Sequence, residues 1–92
     1  MTDLKAIRDA IIAGLAEAQN HTTDEVEKAI QNVGGDGGFE IESKTAEFVC
    51  AYVEQTLGLG VKLPTPCDLG PDQYATIAAL IGAIAGHLNI TS

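Results

Sequence analysis

Residues 34–57 read GGDGGFEIESKTAEFVCAYVEQTL, and the change of pattern inside this stretch decides the fold. The glycine-rich start, residues 34–38, resists regular structure, because each glycine loses more backbone entropy on ordering than any other residue. Phe39 and Ile41 follow, then the polar pair Glu42 and Ser43. From there apolar residues recur at helical spacing: Ala46, Val49, Cys50, Val53 and Leu57. The pattern predicts a helix from Ser43 to Leu57 that stops at Gly58, with Glu42 or Ser43 near its N-cap. The Ser43 hydroxyl is thereby expected at the mouth of a helix, beside a mobile loop.

Upstream, Thr2 and Asp3 mark a helix start, with the acid at the favourable end of the dipole. Leu4, Ile7, Ile11 and Leu15 carry that helix to about residues 18–20. After His21, either Thr22 with Glu25 or Asp24 with Glu27 has the spacing of a capping box. Val26, Ile30 and Val33 then form the apolar face of a short helix that stops at Gly34 and Gly35. Downstream, residues 59–63 are too punctuated by glycine for a strand, and Pro64 and Pro66 enforce a break. Residues 68–72 form a second turn cluster. A last helix is expected from near Asp72, burying Ile77, Leu80, Ile81, Ile84 and Leu88 and fraying after His87. The fold expected is all-α: one domain, residues 1–92, built as a small bundle of three main helices plus one or two short ones.

Hydrophobic residues make up 46% of the chain, aromatics only 4%, and Trp is absent. The core must therefore come from Ile, Val, Leu and Ala, which suits packed helices. With 13 acids against 5 bases, the formal net charge of −8 repels phosphate backbones and disfavours nucleic-acid binding. It favours partners with basic patches, or serves solubility alone. The apolar run at 77–85 falls far short of the roughly 20 residues that span a bilayer, so no membrane insertion is expected. Gly82 and Gly86 have GxxxG spacing, read here as close packing within the molecule rather than a dimer face, so a monomer is expected. Asp3, Lys5, Arg8 and Asp9 interrupt any apolar leader, and two cysteines make no disulfide framework. The expectation is a cytoplasmic, reduced protein with Cys50 buried and Cys67 in a proline-rich loop.

The run from Ile41 to Val49, IESKTAEFV, resembles the attachment site of acyl carrier proteins. In that family an Asp-Ser-Leu triplet opens the second main helix, and its serine carries 4′-phosphopantetheine. Leu57-Gly58, Leu63-Pro64 and the last helix resemble the family's sequel. The likeness covers the layout of the whole chain and about ten residues of motif. It departs at Glu42, where the family has aspartate, and at Lys44, where it has leucine. Thr45, Phe48 and Gln55 stand where fatty-acid carriers tend to place acids. The short helix at 22–33 elaborates a loop that is long in the family. The resemblance implies a non-enzymatic carrier of acyl groups, with Ser43 as attachment residue flanked by Glu42 and Lys44. It implies as partners a phosphopantetheinyl transferase and the enzymes that load or take the acyl group. The departures point to a specialised carrier in lipid or secondary-metabolite biosynthesis.

Other chemistry finds little support. Ser43 lacks the G-x-S-x-G pattern of a nucleophile elbow, and neither His21 nor His87 is placed beside it by sequence. The GGDGG segment lacks the Lys-Ser/Thr of a phosphate-binding loop, and Asp36 alone makes no calcium loop. Cys50, Cys67, His21 and His87 lack the paired spacing of a zinc site. Phe48 and Tyr52, one turn apart and off the main apolar stripe, either pack against Phe39, Ile41 or the short helix, the favoured reading, or form a partner patch. Glu47 and Glu54 share one side of their helix, either as a solvated face or as a docking surface for basic partners. Ala46, Ala78 and Gly82 are small enough to wall a groove for an acyl chain. The competing reading is an unmodified, acidic helical interaction module.

Overall fold

The structure, a computed structural model, describes residues 3–58 and 74–88. Within them the chain forms α1 (Leu4–Gln19), α2 (Thr23–Asn32), α3 (Ser43–Leu57) and α4 (Ile77–His87), with no strand. The fold is thus the all-α bundle expected, with α2 as its short extra helix. The connector at 59–63, Pro64, Pro66, Cys67 and the turn cluster at 68–72 lie outside the described residues.

The hub of the bundle is α1, not the 34–57 stretch whose pattern decides the fold. The helix packs against each of the other three, most extensively against α3. It buries Ala10, Ile12 and Ala16 as well as the expected Ile7, Ile11 and Leu15. These additional residues flank the expected stripe and widen it into a surface that three neighbours can share. Gly14 lets α3 approach closely, because a Cβ there would lie 3.3 Å from both Cβ and Cδ1 of Tyr52. Tyr52 therefore packs on α1, a contact that the sequence does not indicate. Phe48 stacks on Tyr52 with ring centroids 6.2 Å apart and remains 43% exposed.

The helix ends follow local chemistry. Asp3 caps α1 by accepting from the Ala6 N–H at 2.8 Å, and Asn20 closes it in the left-handed conformation (φ 58°, ψ 43°). Thr22 and Glu25 form the capping box of α2: Glu25 N–H donates to Thr22 Oγ1 at 3.2 Å, and Thr22 N–H to Glu25 Oε1 at 2.8 Å. Thr22, first through its backbone N–H, holds the Glu25 carboxyl below the usual carboxylate range. Val26 and Ile30 are buried, but Val33 is half-exposed. Val33 is the C-cap of α2, with a non-helical ψ of 13°, so the turn carries it off the apolar face.

The last helix starts later than the sequence indicates. Thr76 is extended (φ −129°, ψ 163°), pairs with Glu40 in an isolated antiparallel bridge, and caps α4 by accepting from Ala79 N–H at 3.1 Å. A backbone committed to that bridge cannot also be helical, so α4 opens at Ile77. Ile77, Leu80, Ile84 and Ala85 are buried, while Ile81 and Leu88 are partly so. Gly82 and Gly86 are exposed, with nothing within 4 Å of an added Cβ, which corrects the expectation of close packing through GxxxG. At about 100° per residue they fall on the side of α4 away from Ile77 and Ile84.

Candidate functional site

Ser43 is presented by what precedes it. The glycine-rich loop, expected to be mobile, is fastened to three helices. Arg8 of α1 donates from Nε to Asp36 Oδ2 at 2.9 Å and from Nη2 to Asp36 Oδ1 at 3.0 Å. The same Nη2 reaches Glu27 Oε1 of α2 at 2.8 Å. The two carboxylates, Asp36 foremost, push the Arg8 pKa further up, so the guanidinium is a permanent charge. The Asp36 carbonyl accepts from Ala78 N–H at 3.1 Å, and the Phe39 carbonyl from Ile77 N–H at 3.3 Å, which ties the loop to the start of α4. A Cβ on Gly38 would collide with the Val33 carbonyl, so this tight path needs glycine there.

The loop then enters the core. Ile41 is only 6% exposed and donates its N–H to the Ala75 carbonyl at 2.6 Å. Ile41 and Ala46, both buried, occupy the two positions of a hydrophobic staple, which fixes the angle at which the chain enters α3. Between them Glu42 is the N-cap, extended (φ −73°, ψ 154°), its carbonyl accepting from Ala46 N–H at 2.8 Å. Ser43 is the first helical residue, and Glu42, Ser43 and Lys44 are all exposed.

The caps differ in one respect. Asp3, Thr22 and Thr76 each use a side chain to accept a first-turn N–H of their helix. Glu42 makes no such bond, so the first turn of α3 begins without a side-chain acceptor. Ser43 is therefore not the cap of α3 but an exposed hydroxyl beside N–H groups that no capping side chain has taken.

Starting at the following residue, Lys44, an open groove of about 410 Å³ lies between the C-terminal end of α1 and the first turns of α3. Glu17 and Ala18 line one side, and Lys44, Thr45 and Phe48 the other. The sequence does not single out Glu17 or Ala18, because nothing local tells which helix packs beside the start of α3. The small residues expected as groove walls do not come together: Ala46 is fully buried, whereas Ala78 and Gly82 are exposed. Of the acids on α3, Glu47 is exposed, while Glu54 is half-buried and engaged in an interaction of its own. His21 Nδ1 lies 3.7 Å from Glu25 Oε2, which directs it to α2. Among the described residues no three His, Cys, Asp or Glu side chains converge as metal ligands would. Comparison of the chain with protein-family models, with curated proteins and with solved structures finds no match.

Proposed function

We propose that the chain is an acyl carrier protein whose Ser43 carries 4′-phosphopantetheine. The observation that supports this most is the exposed Ser43 hydroxyl at the first position of the one described helix that starts without a side-chain cap. The resemblance of the sequence around Ser43 to carrier attachment sites adds to it. The residues present fit the group: a phosphodiester on Ser43 would set its charge at a helix N-terminus, where free N–H groups and the dipole favour an anion. Glu42 leaves those donors open, and the exposed Lys44 ammonium adds a cation beside them. When bound, the prosthetic group supplies a thiol that holds an acyl chain as a thioester.

The chain's own residues present and steer. The Arg8–Asp36 pair and the Ile41–Ala46 staple hold the loop so that Ser43 faces outward to a modifying enzyme. Glu47 and the net charge of −8 suit partners with basic patches, among them the phosphopantetheinyl transferase and the enzymes that load or receive the acyl group. No described helix is long and apolar enough to cross a membrane. The proposal includes a cytoplasmic monomer serving lipid or secondary-metabolite biosynthesis.

The test is incubation with coenzyme A and a broad-specificity phosphopantetheinyl transferase, followed by intact-mass spectrometry. A gain of one phosphopantetheine unit is expected. A mass that stays unchanged would favour the alternative class, an unmodified acidic interaction module.

A further inference from the structure

We propose that the groove between the end of α1 and the start of α3 is the resting place of the prosthetic arm, held there by Phe48 and Ala18. This rests on the reading of Ser43 as the attachment residue. It goes further by naming the surface that receives the arm.

Position comes first. The groove begins at Lys44, the residue after Ser43, and continues along one side of α3 through Thr45 to Phe48. An arm leaving Ser43 therefore starts one residue from the end of this surface. The groove walls expected from Ala46, Ala78 and Gly82 are not formed by those residues: the first is buried, and the other two are exposed.

Chemistry comes second. Phe48 is one of two large hydrophobic side chains left exposed among the described residues. It is nonetheless held in place, stacked at 28° on Tyr52, which is itself seated against Gly14 of α1. A fixed, half-bare aromatic ring costs little further entropy to cover. The groove residues offer a partner for each chemical part of the arm. The Lys44 ammonium suits the phosphodiester, the Phe48 ring and Ala18 methyl suit the branched dimethyl carbon, and the Thr45 hydroxyl and Glu17 carboxylate can accept from its amide N–H groups.

The test uses the full chain loaded from coenzyme A carrying ¹³C in the dimethyl group, with loading verified by intact mass. Isotope-filtered NOE spectra should show cross-peaks from the dimethyl protons to the Phe48 ring and the Ala18 methyl. Two variants on exposed positions, Ala18→Trp, which fills the groove, and Phe48→Ser, which removes its wall, should still load. Both should lose the parent's pattern of cross-peaks, with the dimethyl lines narrowing toward those of free coenzyme A. Fully loaded parent protein without these cross-peaks, or with dimethyl linewidths that neither variant changes, would overturn the inference while leaving Ser43 as the carrier site. Failure to load the parent would instead overturn the Ser43 reading and this inference with it, and the mass spectrum tells the two failures apart.

Discussion

Two side chains of α3 illustrate how burial sets chemistry one residue at a time. Cys50 is 2% exposed, and burial pushes its thiol up from the ordinary 9.0 to about 11. A raised pKa means the folded state holds the proton more tightly than the unfolded state. The corresponding stability is complete below pH 9.0 and is lost as the pH rises through about 11. At pH near 8, iodoacetamide should therefore label Cys50 far more slowly in the folded protein than in denaturant, as read by peptide mapping. Equal rates would mean that the thiol is not enclosed. Ser43 is the opposite case, exposed and outside the capping position. Ser43→Ala should shift unfolding free energy by no more than about 0.5 kcal/mol, measured by urea denaturation. A loss of about 1 kcal/mol or more would mean that the hydroxyl caps α3 after all.

Between elements, two contacts decide how the helices meet, and neither is legible in the sequence. Gly14 is an ordinary small residue inside a periodic stripe until Tyr52 is set against it. Gly14→Val should overpack the α1–α3 contact and cost roughly 1–3 kcal/mol by thermal or chemical melts. A neutral result would show that Tyr52 can move aside. The second contact is Arg8 with Asp36 and Glu27, each less than half exposed. Asp36→Ala should cost roughly 1–2 kcal/mol, since the fork of Arg8 then keeps only Glu27 and partial exposure screens what remains. Amide exchange should quicken at Ala78, the donor to the Asp36 carbonyl, and at Ile41, more than in the middle of α1. Uniform exchange would mean that the ion pair does not hold the loop.

The features legible in the sequence are local: the span of α3, the Asp3 cap, the Thr22–Glu25 box and the buried stripes. Such signals act over three or four residues and need no knowledge of the fold. Arg8 and Asp36 are 28 residues apart, and Glu40 pairs with Thr76, so their partners depend on how whole helices pack. The glycines of the loop signal freedom, whereas the fastening comes from Asp36 and Ile41 among and just after them. The site divides the same way. The residues on α3, Ser43, Lys44 and Phe48, are legible, and those on α1, Glu17 and Ala18, are not.

Over the whole molecule, α1 serves as the axis and charge as the main opposing force. Thirteen acids and 5 bases leave a formal net charge of −8. Among the described residues, Asp9 pairs with Lys5, and Glu27 and Asp36 share Arg8. Self-repulsion should dominate over local pairing, so the melting temperature should rise as salt increases from about 10 to about 200 mM. A flat or falling profile would mean that the Arg8 cluster and its like outweigh the net repulsion.

Attachment of the prosthetic group at Ser43 underlies both the carrier reading and the groove beside it. Tandem mass spectrometry of the protein after transferase treatment with coenzyme A measures that attachment residue by residue. The phosphopantetheine adduct is expected on Ser43 alone, with none formed in Ser43→Ala although that variant remains folded. An adduct on Thr45 or any other residue, or continued loading of Ser43→Ala, would contradict it.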